Sequence, residues 1–185
     1  MYLTGAHLYY DLAYIQQIIG DTDNAISNFD TSAFIYEYAY GSEHVETIHS
    51  KKQKASALGK AGRLQESYDL FEDVLNSCRA LFGPDSSEEA TTLNQKGVVA
   101  LNAHDFVLAA DCFRESIRIC NETKVLQESP LFNGILIESI LGNGDSAFSL
   151  AATGLELLRN ECENKLGGMT ERERCRMPGC HWRVL

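Results

Sequence analysis

The sequence predicts an all-α protein: about four helical hairpins stacked into a solenoid, with a loose C-terminal tail. Three observations predict it. In AGRLQESYDLF (61–71), Gly62 is followed by Leu64, Ser67 and Phe71, and the pattern returns 42 residues away on both sides, as Gly20, Thr22, Ala25, Phe29 and as His104, Phe106, Ala109, Phe113. Self-similarity at such a period marks a stacked repeat array. Apolar residues within each unit recur at three- and four-residue steps, the helical period. The chain has only three prolines, Pro84, Pro130 and Pro178, so long helices are permitted almost everywhere.

The 185 residues divide into an array over 1–164, with units of about 4–44, 45–86, 87–128 and 129–164, and a basic tail over 165–185. In the first unit, Ala13 lies on the first helix and Gly20 stops it, because glycine adopts the left-handed conformation that such a stop requires. Asp21 is placed to cap the second helix. Ala25 allows that helix to cross its partner closely, and Phe29 fills the gap to the next hairpin. The second unit repeats this in HVETIHSKKQKASALGKA and QESYDLFEDVLNSCRALF, where Leu64, Tyr68, Phe71, Val74, Leu75 and Cys78 form one helical stripe. Gly83-Pro84 ends it.

The third unit opens on SSEE, where Ser86 and Glu89 form a capping box. His104 takes the stop position at some cost, since non-glycine residues adopt that conformation uncommonly. Asp105 follows as a cap. In the fourth unit the connector is four residues shorter, giving Gly142, Asp145 as the cap, Ala147 and Leu150. The phenylalanine position becomes Ala151, which predicts a changed terminal packing. Ser32, Val74 and Ser116 also fall in register, as do Ala33, Leu75 and Ile117, and Ala13, Ala55 and Gly97.

These residues resemble the tetratricopeptide pattern, through Leu12-Ala13, Gly20, Ala25, Phe29, Ser32 and Ile35. The 42-residue period, TLNQKGVVALNAHDF (92–106) and the loops YGSEH (40–44) and FGPDS (82–86) are similar to the kinesin-light-chain/nephrocystin-3 subtype. Lys54 and Lys96 depart from it, replacing the leucine of the Leu-Ala pair. No heptad segment precedes the repeats, so the coiled coil that binds heavy chains in a true light chain is not expected. The resemblance implies a right-handed superhelix whose first helices line a concave groove for a peptide or protein segment. The family's polar groove position falls on Asp11, Gln53, Gln95 and Asn133. Its neighbours add Tyr10, Lys52 and Asn94 one step before, Tyr14 and Ser56 three steps after, Lys60 and Asn102 seven steps after, and His49 four steps before. Carboxamides both donate and accept hydrogen bonds, so such a column can hold an extended backbone without reading its sequence. Lys52 and Lys60 are the expected positive groups on the groove.

The charge is uneven. Residues 165–185 hold five basic and two acidic side chains, +3, which leaves −13 on the remainder of a chain of net charge −10. An acidic body argues against nucleic acid, because phosphate binding needs a Lys/Arg excess. No apolar run approaches the ~18 residues of a membrane span. The start carries no basic leader, so a cytoplasmic protein with reduced thiols is expected.

Catalytic and phosphate-binding motifs are absent from the sequence. The tail ERERCRMPGCHWRVL offers Cys175, Cys180 and His181, with Cys162, to a zinc ion, but the spacing is not that of a zinc site. The tail is expected to be disordered, without metal; Trp182 and its arginines could instead bind another surface, including the chain's own acidic groove. The expected function is a non-enzymatic protein-interaction scaffold or adaptor without cofactor, of kinesin-light-chain-like cargo type. The alternatives are a purely structural array in a larger complex, or a regulatory module with a metal-binding tail.

Overall fold

The structure, a computed structural model, describes residues 2–123 and 128–167. Eight helices follow one another in these residues: α1 (Tyr2–Ile19), α2 (Thr22–Tyr40), α3 (Val45–Lys60), α4 (Leu64–Phe82), α5 (Ser87–Asn102), α6 (Phe106–Thr123), α7 (Glu128–Ile140) and α8 (Gly144–Gly167). Consecutive helices pack in pairs, and α5 also touches α3 and α7, so first helices meet along one side of the array. No strand occurs among the described residues.

One turn is built four times. Gly20, Gly62, His104 and Gly142 have φ of +86°, +77°, +61° and +78°. The residue after each donates its amide five residues back: Asp21 to Gln16 (2.9 Å), Arg63 to Leu58 (3.0 Å), Asp105 to Ala100 (2.9 Å) and Asn143 to Glu138 (2.8 Å). This bond satisfies a carbonyl that the end of the helix would otherwise leave unpaired. The identical bonding confirms the 42-residue offset for three units and the four-residue contraction before the fourth. Gly41 and Gly83 end α2 and α4 in a different, extended conformation that also has positive φ, +94° and +84°.

The small positions lie at helix crossings. Ala25, Ser67 and Ala109 are fully buried, and Ser67 Oγ donates to the carbonyl of Ala55 across its own hairpin at 2.7 Å. Phe29, Phe71 and Phe113 are also fully buried. Each joins its own hairpin to the next: Phe29 clusters with Ala57, Phe71 with Val99 and Phe113 with Ile137. The lysines that replace Leu12 in later units reach back to the previous hairpin, Lys54 to Asp30 and Lys96 to Glu72. Cys78 and Cys120 are buried among apolar neighbours, where burial pushes both thiols above their ordinary pKa.

The helix starts differ in part from expectation. Asp105 Oδ1 accepts the Leu108 amide at 3.1 Å, as a cap should. Asp21 makes no such bond; its carboxylate accepts from Asn24 Nδ2 instead, at 2.9 and 3.1 Å. Asp145 lies within the first turn of α8, which begins one residue earlier at Gly144. There it can act only through the helix dipole. Ser86 Oγ accepts the Glu89 amide at 3.2 Å, but Glu89 Oε2 takes the amide of Asp85, at 2.9 Å, rather than that of Ser86. Asp85 itself has φ of +57°. The tail lies outside the described residues beyond Gly167, and with it Cys175, Cys180, His181 and Trp182.

Candidate functional site

Helical spacing decides which side chains of the first helices meet. Residues three and four apart share a face, so on α3 Gln53, Ser56 and Lys60 stand in line, and on α5 Gln95, Val98 and Asn102 do the same. The two lines adjoin, and with Gln17 of α1 and with Gly59 and Val99 they form one open hollow. Ser56 Oγ donates to Gln95 Oε1 at 3.5 Å across the two helices. Lys60 stays exposed at the rim. The expected residues Gln53, Ser56, Lys60, Gln95 and Asn102 are thus brought together.

A second polar contact lies one hairpin on. Asn133 Nδ2 of α7 donates to Asn94 Oδ1 of α5 at 2.9 Å. The pair uses one position of each carboxamide, leaving Asn133 its second N–H and its oxygen, and Asn94 both N–H groups and its second lone pair.

Lys52 occupies another environment. It is 5% exposed, and its Nζ lies 3.3 Å from Glu88 Oε2. His49 Nε2 lies 3.5 Å from the same oxygen. Lys52 is therefore a buried link between α3 and α5, not an open positive group, and the expectation of two groove lysines is corrected to Lys60 alone. The reason is its phase on the helix, one residue away from Gln53 and turned toward α5.

On α1, Tyr10 sets its ring edge-on to Phe29, with centroids 5.5 Å apart. Burial, then the Glu46 and Tyr14 charges, raise its hydroxyl pKa. Tyr10 is thus partly a core residue. Asp11 and Tyr14 are exposed and lie outside the hollow.

Gln17 was not legible as a site residue. Its repeat equivalents are Gly59 and Leu101, so no polar column announces it. Its Nε2 is buried in the wall and has no hydrogen-bond partner. Among the described residues no group of histidine, cysteine and carboxylate side chains is placed to hold a metal ion, and no helix is long and apolar enough to cross a membrane.

Comparison with known proteins agrees with the fold. The tetratricopeptide repeat family matches residues 49–122. Among solved structures, BtubC (BKLC) from P. vanneervenii is similar with a TM-score of 0.69 at 15% identity, covering 97% of this chain and 69% of that one. A putative kinesin light chain of Podosopora anserina with nearly identical TPR-like repeats gives 0.59 at 17% identity, covering 89% and 77%. The Q17M form of that protein gives 0.60 at 17%, covering 92% and 79%. At these identities the likeness is one of fold. No curated protein matches the sequence.

Proposed function

From a chain with tetratricopeptide repeats at residues 49–122 and the fold of that repeat to either side, we propose a non-enzymatic interaction scaffold that holds an extended peptide or protein segment along its first helices. One observation carries this reading: Gln53, Ser56, Gln95 and Asn102 turn amide and hydroxyl groups into a single hollow between α3 and α5. Such groups supply both donors and acceptors, the two kinds of group that a peptide backbone pairs with. The apolar wall of Val98 and Val99 gives a ligand side chain somewhere to bury. Lys60 adds one positive charge in an acidic body and favours a ligand with a nearby carboxylate.

The finer reading, a cargo adaptor acting in the cytoplasm, follows from the resemblance of the repeat period and loops to the kinesin-light-chain subtype. The reading includes no cofactor, no metal and no nucleic acid.

The test is to select peptides from a displayed random library on the purified chain, then place a photo-crosslinking residue at Val98 or at Phe34 on the second-helix side. Crosslinks from Val98 support the groove. Crosslinks from Phe34 alone place the ligand elsewhere and remove the proposal.

A further inference from the structure

The outermost described helices carry the same faces that join hairpins inside the array. On the first helices, the positions of Leu8, Leu12 and Ile15 recur as Ser50, Lys54 and Ala57, as Thr92, Lys96 and Val99, and as Pro130, Gly134 and Ile137. Within the array these positions face the preceding second helix. Ser50 Oγ lies 3.1 Å from Ser32 Oγ, Lys54 pairs with Asp30, and Val99 clusters with Phe71. A Cβ on Gly134 would lie 2.5 Å from Ile117 Cδ1. On α1 the same positions are all large, apolar and open: Leu8 is 66% exposed and Ile15 55%.

The reciprocal face is open on α8. Phe148 stands where Ile26, Tyr68 and Ala110 stand in the earlier hairpins, and Leu155 where Ala33, Leu75 and Ile117 stand. Those earlier residues are buried except for the half-buried Tyr68, whereas Phe148 is 78% exposed and Leu155 69%. Exposed apolar residues that continue a packing face mark an interface rather than scattered surface.

We propose that copies of this chain stack head to tail, α8 of one copy receiving α1 of the next as α2 receives α3. Three matches single out a second copy as the occupant. Two of the internal interfaces set Asp30 or Glu72 opposite Lys54 or Lys96; in these two columns α8 has Ala152 and α1 has Leu12, so both charges are absent together. Where the first internal interface has Ser32 facing Ser50, α8 has Gly154 and α1 has Leu8, a gap against a larger side chain. Where they place a phenylalanine on the second helix, α8 has Ala151, and Ile15 opposite is as large as the largest residue in its column. A partner repeat of the internal kind would instead bring a carboxylate against Leu12, leaving it unpaired and desolvated. The contact uses two different faces, so it generates an open series rather than a closed dimer. The surface lies on α1 and α8, independent of the hollow between α3 and α5.

Sedimentation of the full chain across micromolar to submillimolar concentrations tests this. The expected result is a mass that rises past the dimer with concentration, and rises further with added salt, because copies of net charge −10 repel until screened. Leu12→Lys and Leu155→Lys should each give a monomer with unchanged helical circular dichroism, both positions being exposed. Mixed one to one, the two variants should form a dimer and nothing larger, since one keeps an intact α1 face and the other an intact α8 face. Adding Ala152→Glu to Leu12→Lys should restore the series through the array's own lysine–carboxylate pairing. A wild-type chain monomeric at every concentration overturns the proposal, as does a dimer that survives Leu155→Lys, the signature of two α1 helices pairing with each other.

Discussion

The Cβ that Gly97 lacks would lie 2.6 Å from Cε1 of Phe113 and 3.1 Å from the Cβ of Cys112. Alanine occupies the same repeat position at Ala13 and Ala55, so the third hairpin differs from the first two in how closely its phenylalanine approaches its own first helix. Gly97→Ala gains helix propensity, about 1 kcal/mol, yet must push a fully buried ring into its neighbours, which costs about 1–3 kcal/mol. The expected net result is a lower melting temperature. A melt at or above the wild-type value would show that the ring has room to move.

Glu138 is 1% exposed. It accepts from Arg114 Nε at 2.7 Å and from Asn143 Nδ2 at 2.8 Å. Burial raises its pKa, but the bonds from Asn143 and Arg114 outweigh burial and hold the carboxyl below its ordinary 4.5. A carboxyl with a lowered folded pKa contributes stability that is present above its unfolded pKa and lost as pH falls through the folded one. Wild type should therefore lose stability as pH drops below about 4.5, and Glu138→Gln should flatten that part of the profile. Arg114→Met should cost about 3–5 kcal/mol at neutral pH, because it leaves a buried carboxylate without its cation. Urea midpoints measured from pH 3 to 7 decide it; parallel profiles for wild type and Glu138→Gln would remove Glu138 as the cause.

The repeat was legible because backbone geometry wrote it into the sequence. Four left-handed turns need glycine or a tolerant residue, and the helix crossings need Ala25, Ser67 and Ala109. Side-chain phase around a helix was less legible. Lys52 neighbours Gln53 in sequence, but one residue is about 100° of helix rotation, enough to move it from an open face to a buried one. The lysines that replaced the expected leucine, Lys54 and Lys96, found their meaning only in Asp30 and Glu72 on the hairpin before. Gln17 stayed hidden because it enters the hollow from a position that is Gly59 and Leu101 in later units. Asp21 and Asp145 look like caps in sequence, but Asp21, at the N-cap of α2, binds the Asn24 side chain instead of a backbone amide, and Asp145 falls inside α8 because that helix starts earlier than expected.

The two lysines once grouped together should now separate by experiment. Lys52→Glu places a second carboxylate beside Glu88 in a buried contact and should destabilise by about 3–5 kcal/mol. Lys60→Glu changes an exposed rim charge and should leave the melt unchanged. In binding the order reverses. Lys60→Glu should weaken acidic peptides selectively, with an effect that shrinks as salt rises. Lys52→Met, which removes the charge but keeps the stem, should leave peptide selectivity alone. A salt-dependent selectivity change from Lys52→Met would return that residue to the groove.

The groove itself is tested by changing Gln53 and Gln95 together to alanine. Neither side chain is fully buried, and alanine is the best helix former, so the fold should persist. Each carboxamide that holds a ligand backbone contributes about 0.5–1.5 kcal/mol. Losing both should weaken a selected peptide roughly five- to a hundred-fold, at about 1.4 kcal/mol per decade. The loss should be similar across peptides of different sequence, because the amides contact backbone and not side chains. Gln65→Ala with Asp69→Ala is the control: these residues hydrogen-bond each other on the exposed side of α4 at 2.8 Å, away from the hollow, and should leave affinity unchanged. Calorimetric titration of three unrelated selected peptides into each variant separates the outcomes. If the control weakens binding and the Gln53/Gln95 variant does not, the ligand lies on the second helices and the hollow between α3 and α5 is solvated surface.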